Sequence, residues 1–335
     1  MREPPFWWCS AGATAALLAP MAAVYGAVAA RRMSRVGVRA GVPVVCIGNP
    51  TVGGAGKTPL ALAVARMLQE NDQRPAFLSR GYGGRLAGPV QVDLSRHAAT
   101  DVGDEPLLLA RRAGTIVSRD RPIGAAAAVR AGANVIVMDD GFQNPSLAKD
   151  VSVLVVDARR GIGNGRVVPA GPLRAPLDAQ LARTQALVMV GAPQAGGIAD
   201  AARARAIPVF DAKLVPDAGL IQALGGGRVL AFAGIGDPDK FFATLRDAGV
   251  AVAASRGFPD HHRYTRADAR SLIELGDREG LILLTTEKDL VRMEGDDQVA
   301  ELAARSQALP VTLAFDDAAG FRTLLLERIA RARAK

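Results

Sequence analysis

Short apolar runs of strand length alternate with helical stripes along most of this chain. Val42–Ile47 (VPVVCI) is β-branched and uninterrupted, the pattern of a buried strand. After a glycine-rich stretch, Leu60, Val64, Met67 and Leu68 recur on one face, the spacing of an amphipathic helix. Phe77–Ser79, Asn134–Met138 and Val151–Val156 predict further strands, and 107–114 (LLLARRAG) predicts a helix. Two of those strands end on carboxylates, Asp139 with Asp140, and Asp157. Strand–helix alternation of this kind predicts an α/β fold: a mainly parallel sheet flanked by helices.

The second half repeats the pattern on a smaller scale. Leu187–Val190 and Pro208–Phe210 predict short strands, and Gly225-Gly226-Gly227 reads as a linker. Beyond it come a strand at Val229–Phe232, the turn Gly234-Ile235-Gly236-Asp237-Pro238 and a helix at Lys240–Asp247. Strands at Val250–Ala253 and Leu281–Leu284, a helix at Arg266–Arg278 and a terminal helix from about Asp317 follow. The expected division is an N-terminal membrane-anchor helix, 1–35, a phosphate-loop unit, 36–224, and a smaller α/β unit, 225–335, closing a cleft. With 49% hydrophobic and 22% charged residues, wholesale disorder is excluded. Two cysteines, Cys9 and Cys46, make no disulfide framework and point to a reducing compartment.

The N-terminal segment breaks the alternation. Pro4–Ala30 holds 27 residues without a charge, followed by Arg31, Arg32, Arg35 and Arg39. That length reaches the roughly 20 residues a membrane span needs, although the run is rich in alanine and interrupted by Pro20 and Gly26. Membrane association is expected, either spanning the bilayer or lying in its interface, with Phe6, Trp7 and Trp8 as an aromatic belt. An arginine collar after the apolar run opposes export and places the rest of the chain in the cytoplasm. The collar also disposes of a nucleic-acid reading of the net charge of +8: with Arg2 and against Glu3, it holds half of the excess, and the remaining 295 residues are nearly balanced.

Chemistry concentrates where strands end. Between Ile47 and the first helix stands GNPTVGGAGKTP, with Gly53, Gly54, Ala55, Gly56, Lys57 and Thr58 at its centre. Strand, glycine-rich loop, GKT and helix form the context of a phosphate loop, because converging N–H groups and a helix N-terminus favour phosphate oxygens. Lys57 would reach the β/γ-phosphates and Thr58 would ligate Mg²⁺. Thr51 stands where the usual pattern has its first glycine. Asp139, at the carboxyl end of a buried strand, suits Mg²⁺ directly or through water, with Asp140 beside it. Asp101, Asp104 and Glu105 either cap a helix or take part in chemistry. Arg80, after its strand, either meets a phosphate or is solvated. Two of the three histidines, His261 and His262, lie in one loop, and a single histidine there suits a general base or a carboxylate partner better than a metal.

Taken in order, VGGAGKTP, SRGYGG, VGDEP, MDDGFQ, PAGPLR, FAGIGDP, FPDHH and TTEKD resemble the tetraacyldisaccharide 4′-kinase family of lipid A biosynthesis, over residues 10 to 330. The resemblance implies transfer of the ATP γ-phosphate to the 4′-hydroxyl of a tetraacylated glucosamine disaccharide 1-phosphate. It implies that Lys57 and Thr58 bind phosphate and Mg²⁺, that Asp139 is the acidic Mg²⁺ residue, and that Asp104 is the general base paired with His261 across the cleft. Arg80, Tyr82, Arg121, Gln143 and Arg174 fall on positions associated with the lipid headgroup or phosphates. Two positions depart from the family pattern: Asn144, usually His, and Ala175, usually Glu. A monomer at the bacterial inner membrane, facing the cytoplasm, is expected. The rival readings are a P-loop GTPase or metallochaperone-type switch, and a nucleic-acid-stimulated ATPase. The first lacks a correctly spaced guanine-reading N/T-K-x-D, since Glu287-Lys288-Asp289 does not supply it, and the second lacks interleaved aromatics.

Overall fold

The computed structural model describes residues 3–54, 56–192 and 197–334. Thirteen strands are numbered in chain order. The larger sheet is built from β1 (Val44–Gly48), β2 (Pro75–Ser79), β3 (Val90–Gln91), β4 (Thr115–Val117), β5 (Val135–Asp139), β6 (Val151–Asp157), β7 (Ala186–Val190) and β8 (Val209–Pro216). The smaller sheet is built from β9 (Val229–Ala233), β10 (Val252–Gly257), β11 (Ile282–Thr286) and β12 (Ser306–Leu309). The last strand, β13 (Val311–Phe315), returns to the larger sheet.

The larger sheet runs β13-β8-β7-β6-β1-β5-β2-β4-β3, parallel except at its two edges, where β13 and β3 pair antiparallel. The parallel sheet flanked by helices is therefore present as expected. β1 lies between β5 and β6, with Ile47 in register with Asp139. The chain leaves β1 to one side and β5 to the other, so a crevice opens at their carboxyl ends, where ligands bind in open α/β sheets. One face of the sheet is sealed by the helix Lys57–Gln69, through Leu60, Val64 and Leu68, and by the terminal helix Ala318–Arg333, through Phe321, Leu325 and Ile329. The other face buries Cys46, Ile136, Met138 and Leu154 under the helices Arg121–Arg130 and Gly197–Arg203. The second sheet, β10-β9-β11-β12, is wholly parallel and has its own two apolar faces.

Three expectations are corrected. First, the chain expected to form the second unit, 225–335, does not stay there. Val311–Phe315 and Ala318–Arg333 return to the larger sheet, where Leu313, Phe315, Phe321, Leu325 and Ile329 join that sheet's core, while Val311 still packs against the smaller one's. Second, Pro4–Ala30 is not one continuous helix. A short 3₁₀ turn, Pro5–Trp8, and a helix, Ala13–Leu17, precede a 15-residue helix, Ala19–Met33, with Pro20 in its first turn. Among the described residues no helix is long and apolar enough to cross a membrane. Third, Trp7 does not join an aromatic belt. It is 8% exposed, and its indole Nε1 donates to the Pro169 carbonyl at 3.0 Å.

Candidate active site

The phosphate loop follows β1 directly. Gly56 holds φ +89° at the position before the helix, a left-handed geometry that glycine adopts without strain and that brings the helix N-terminus round to the crevice. Ala55, between Gly54 and Gly56 in the loop, lies outside the described residues. Thr58 is buried in the first turn of the helix. Lys57 Nζ donates to Asn49 Oδ1 at 3.1 Å and lies 3.9 Å from Asp140 Oδ2. Asn49 was not singled out from sequence. Its Nδ2 also donates to the Thr51 and Gly53 carbonyls, so it braces the loop that Thr51 enters in place of glycine.

Asp139 closes the floor of the crevice at the end of β5. It is 1% exposed, and its Oδ1 is a buried oxygen with no hydrogen-bond partner. Burial, followed by the like charges of Glu105 and Asp140, pushes its carboxyl up to about 7. An acceptor left in this state is poised for a cation, and a divalent ion beside the phosphates fits it. Among the described residues no group of three or more His, Cys, Asp or Glu is placed to hold a metal ion. Asp140 stays ionised. Burial opposes this, but Lys57 and Arg174 outweigh it, and Arg174 Nη1 donates to Asp140 Oδ1 at 3.0 Å.

The segment after β3 reads differently from expectation. The helix predicted over 107–114 begins at Asp104 and ends at Ala110, so Asp104 and Glu105 occupy its first turn. Pro106 fits there because a helix's first turn has no internal partner for the missing N–H. Asp101 takes the capping role: its Oδ2 accepts from Ala98 N at 3.0 Å, one short helix earlier. Gly103 between them has φ +92°, and a Cβ there would lie 2.4 Å from the Tyr82 carbonyl. Asp104 Oδ1 accepts from Glu105 N within that first turn, while Asp104 Oδ2 and Glu105 face the second unit.

Across the cleft, the loop after β10 brings His261 Nδ1 to 3.1 Å from Asp104 Oδ2. The pair links residues 157 apart in sequence. Burial alone would raise Asp104, but the His261 hydrogen bond, Arg292 and Lys288 hold its carboxyl well below the usual range. His261 is raised above its ordinary value, first by the hydrogen bond its Nδ1–H donates to Asp104 and against its own burial. His262 instead bonds Asp268, so the two histidines are divided between the cleft and a helix cap. Sequence reading missed the short helix Glu287–Met293 and its side chains. Lys288 Nζ meets Glu105 Oε1 at 2.6 Å, and Arg292 Nε donates to Asp104 Oδ2 at 2.6 Å. Val291, from the same helix, is buried against Val102, Leu107 and Leu108.

The remaining residues expected from sequence spread around this centre. Tyr82 is 66% exposed, with its ring centroid 5.2 Å from that of His261, and Arg80 is exposed at the end of β2. Arg121 is 2% exposed; its Nη1 donates to the Ser118 carbonyl, and Asp139 is its principal opposing charge. Gln143 Nε2 donates to the Asn49 carbonyl and to Gln180 Oε1, so it braces the phosphate loop from behind. Arg174 Nε donates to the Thr51 carbonyl at 2.9 Å. Ala175 is fully buried, and Asn144 accepts from Ser146 within its own turn. Neither carries a group into the crevice that stands in for the family's Glu or His.

A parallel sheet with a GKT loop after its central strand, and an aspartate at the end of the neighbouring strand, defines a P-loop phosphotransferase. Within that class, residues 14–330 match the profile of the tetraacyldisaccharide-1-P 4′-kinases, LpxK. The chain is 54% identical to the tetraacyldisaccharide 4′-kinase of Nitrobacter winogradskyi, over 99% of both chains. It is 55% identical to that of Nitrobacter hamburgensis, over 99% of this chain and 100% of the other. The crystal structure of LpxK from Aquifex aeolicus in complex with ATP superposes with a TM-score of 0.72 at 26% identity, over 94% of this chain and 99% of that one. The chain belongs to the tetraacyldisaccharide 4′-kinase family.

Proposed function

We propose that this protein transfers the γ-phosphate of ATP to the 4′-hydroxyl of a tetraacylated glucosamine disaccharide 1-phosphate in lipid A biosynthesis. One observation carries the assignment of roles: the Asp104–His261 pair, contributed by opposite walls of a cleft whose floor is the phosphate loop. In this reading Gly53, Gly54, Ala55, Gly56 and Lys57 cradle the phosphates. The substrate hydroxyl oxygen bonds to the γ-phosphorus as the bond to the β–γ bridging oxygen breaks. The hydroxyl proton goes to Asp104, and ADP leaves with the bridging oxygen. A loose transition state needs little basicity, so a carboxylate held below its usual range still suffices as the proton's destination. His261 orients that carboxylate and shares the proton. Mg²⁺, held by Thr58 and Asp139 with Asp140 close by, would supply neutralising charge for the phosphates. Arg80, Tyr82, Arg121, Gln143 and Arg174 serve the lipid headgroup or its phosphates; Arg121 and Gln143 do so indirectly, since both are engaged with the protein itself.

The same reading puts the chain on the cytoplasmic face of the inner membrane as a monomer. Leu17, Met21, Val24, Tyr25 and Val28 form an exposed apolar stripe along the N-terminal helices, while Ala15, Ala22 and Gly26 face the protein. A stripe of this kind, followed by arginines, supports a helix lying in the interface. A lipid substrate would then reach the cleft without leaving the bilayer.

Labelled-ATP transfer onto extracted acylated disaccharide tests the assignment. Wild-type chain should label the lipid, and Lys57→Ala and Asp104→Ala should each abolish labelling. Wild-type turnover in Asp104→Ala would remove that residue from the base role.

A further inference from the structure

We infer that Arg292 is a positioning residue for phosphoryl transfer, fixing the Asp104 carboxylate from the opposite unit. The inference rests on the reading of Asp104 as proton acceptor given above. Arg292 stands in the short helix Glu287–Met293, with a side chain only 6% exposed. Its Nε donates to Asp104 Oδ2 at 2.6 Å. Its Nη1 donates to the Gly234 carbonyl at 2.7 Å and to Asp289 Oδ1 at 2.8 Å. Asp289 is in turn held from three sides, by Gly234 N at 3.0 Å, Tyr264 Oη at 3.0 Å and Thr286 Oγ1 at 2.6 Å. The guanidinium therefore has a rigid anchor on one edge and the Asp104 carboxylate on the other.

Asp104 has little freedom left. Its Oδ1 accepts from Glu105 N at 2.9 Å, and its Oδ2 is shared between Arg292 and His261. The other charges facing the pair are Lys288 from the same helix as Arg292, Glu105 beside Asp104, and Asp260 behind His261. Only one carboxylate orientation satisfies all these partners. A planar fork supplies this constraint, whereas a point charge does not.

An arginine at this depth needs partners for its donors. Arg292 meets this with its whole guanidinium: Nε and Nη2 both lie 2.6 Å from Asp104 Oδ2, and Nη1 takes the Gly234 carbonyl and Asp289. Asp139 Oδ1, a buried oxygen with no hydrogen-bond partner, lies on the floor of the same crevice that the Arg292–Asp104 pair borders. The guanidinium edge thus keeps its charge directly against the base.

The test is labelled-phosphate transfer by full-length Arg292→Gln and Arg292→Lys, with pH profiles and melting temperatures. In Arg292→Gln, kcat should fall on the order of 10–100-fold while KM for ATP stays within about threefold. The acid limb of kcat should move to higher pH, because losing an opposite charge raises the carboxylate's pKa. Arg292→Lys should return the limb towards its wild-type position and recover only part of kcat, since an ammonium has no fork. A folded Arg292→Gln with kcat within about twofold of wild type and an unmoved limb overturns the inference. If Arg292→Gln melts early, Arg292→Lys decides: wild-type kcat in that variant overturns it equally. Asp104→Asn separates the two levels. If Asp104→Asn keeps turnover, the base assignment fails; if it is dead while both Arg292 variants are normal, only the role of Arg292 fails.

Discussion

Asp104 shares one carboxylate oxygen between a histidine and an arginine, each from the far wall of the cleft. That arrangement has a measurable consequence for His261. Its pKa is raised by the Asp104 contact, so the pair's contribution to stability is complete below the histidine's ordinary value near 6.5 and is lost as pH rises through the raised value. An NMR titration should find the His261 ring above 6.5 in wild type and lower in Asp104→Asn; an unchanged midpoint would mean the contact is not made in solution. At this scale, legibility from sequence was uneven for a physical reason. Lys57, Thr58 and Asp139 announce themselves through local punctuation, a strand followed by glycines or by an acid. Arg292 has no local signal: its partner is 188 residues away, and only the fold brings them together. The nearest hint was Asp289, three residues before Arg292 and so on the same helix face.

Elements followed their patterns where burial was one-sided and failed where the chain was short or shared. The phosphate-loop helix and the inner strands of the larger sheet lie close to where apolar periodicity put them. The helix Glu287–Met293 gave no periodic signal because seven residues make less than two full turns, and Thr286 caps it by accepting from Asp289 N at 3.1 Å. The N-terminal run was long enough to span a bilayer as a string, yet Pro20 and the turn before Ala13 divide it. Its exposed stripe gives a prediction. Val24→Glu together with Val28→Glu, both solvent-facing, should lower vesicle binding on the order of tenfold. Stability should stay within about 1 kcal/mol in urea, since neither side chain is in the core. The terminal helix makes the opposite case. Phe321 is fully buried against the larger sheet, and Phe321→Ala should cost about 3–5 kcal/mol in a urea titration.

At the scale of the whole molecule, the two units are held together by ion pairs as well as by Val291. Arg111 with Glu294 at 2.5 Å, Lys240 with Asp157 at 2.8 Å, and Arg159 and Arg160 with Asp237 ring the cleft, while Lys288–Glu105 and Arg292–Asp104 lie inside it. Depth should decide their worth. Arg111→Ala, at the exposed rim, should change stability by less than about 1 kcal/mol. Lys288→Met strips the cation from a largely buried Glu105 and should cost on the order of 1–3 kcal/mol, as well as activity. Equal losses from the two variants in parallel denaturation curves would show that the inner pair is as solvated as the outer one.

The amino-acid sequence by itself determined the class of sheet, the phosphate loop, the acidic strand end and the family. Each of these depends on neighbours along the chain: periodicity, glycines before a helix, an ordered set of motifs. Only the tertiary structure decided that the last strand and helix belong to the first sheet and that the N-terminal helix shows its apolar face outward. It also decided that Asp104 meets both His261 and Arg292. Those facts depend on which distant surfaces bury each other, and hydrophobic patterning says that a face must be covered without saying by what.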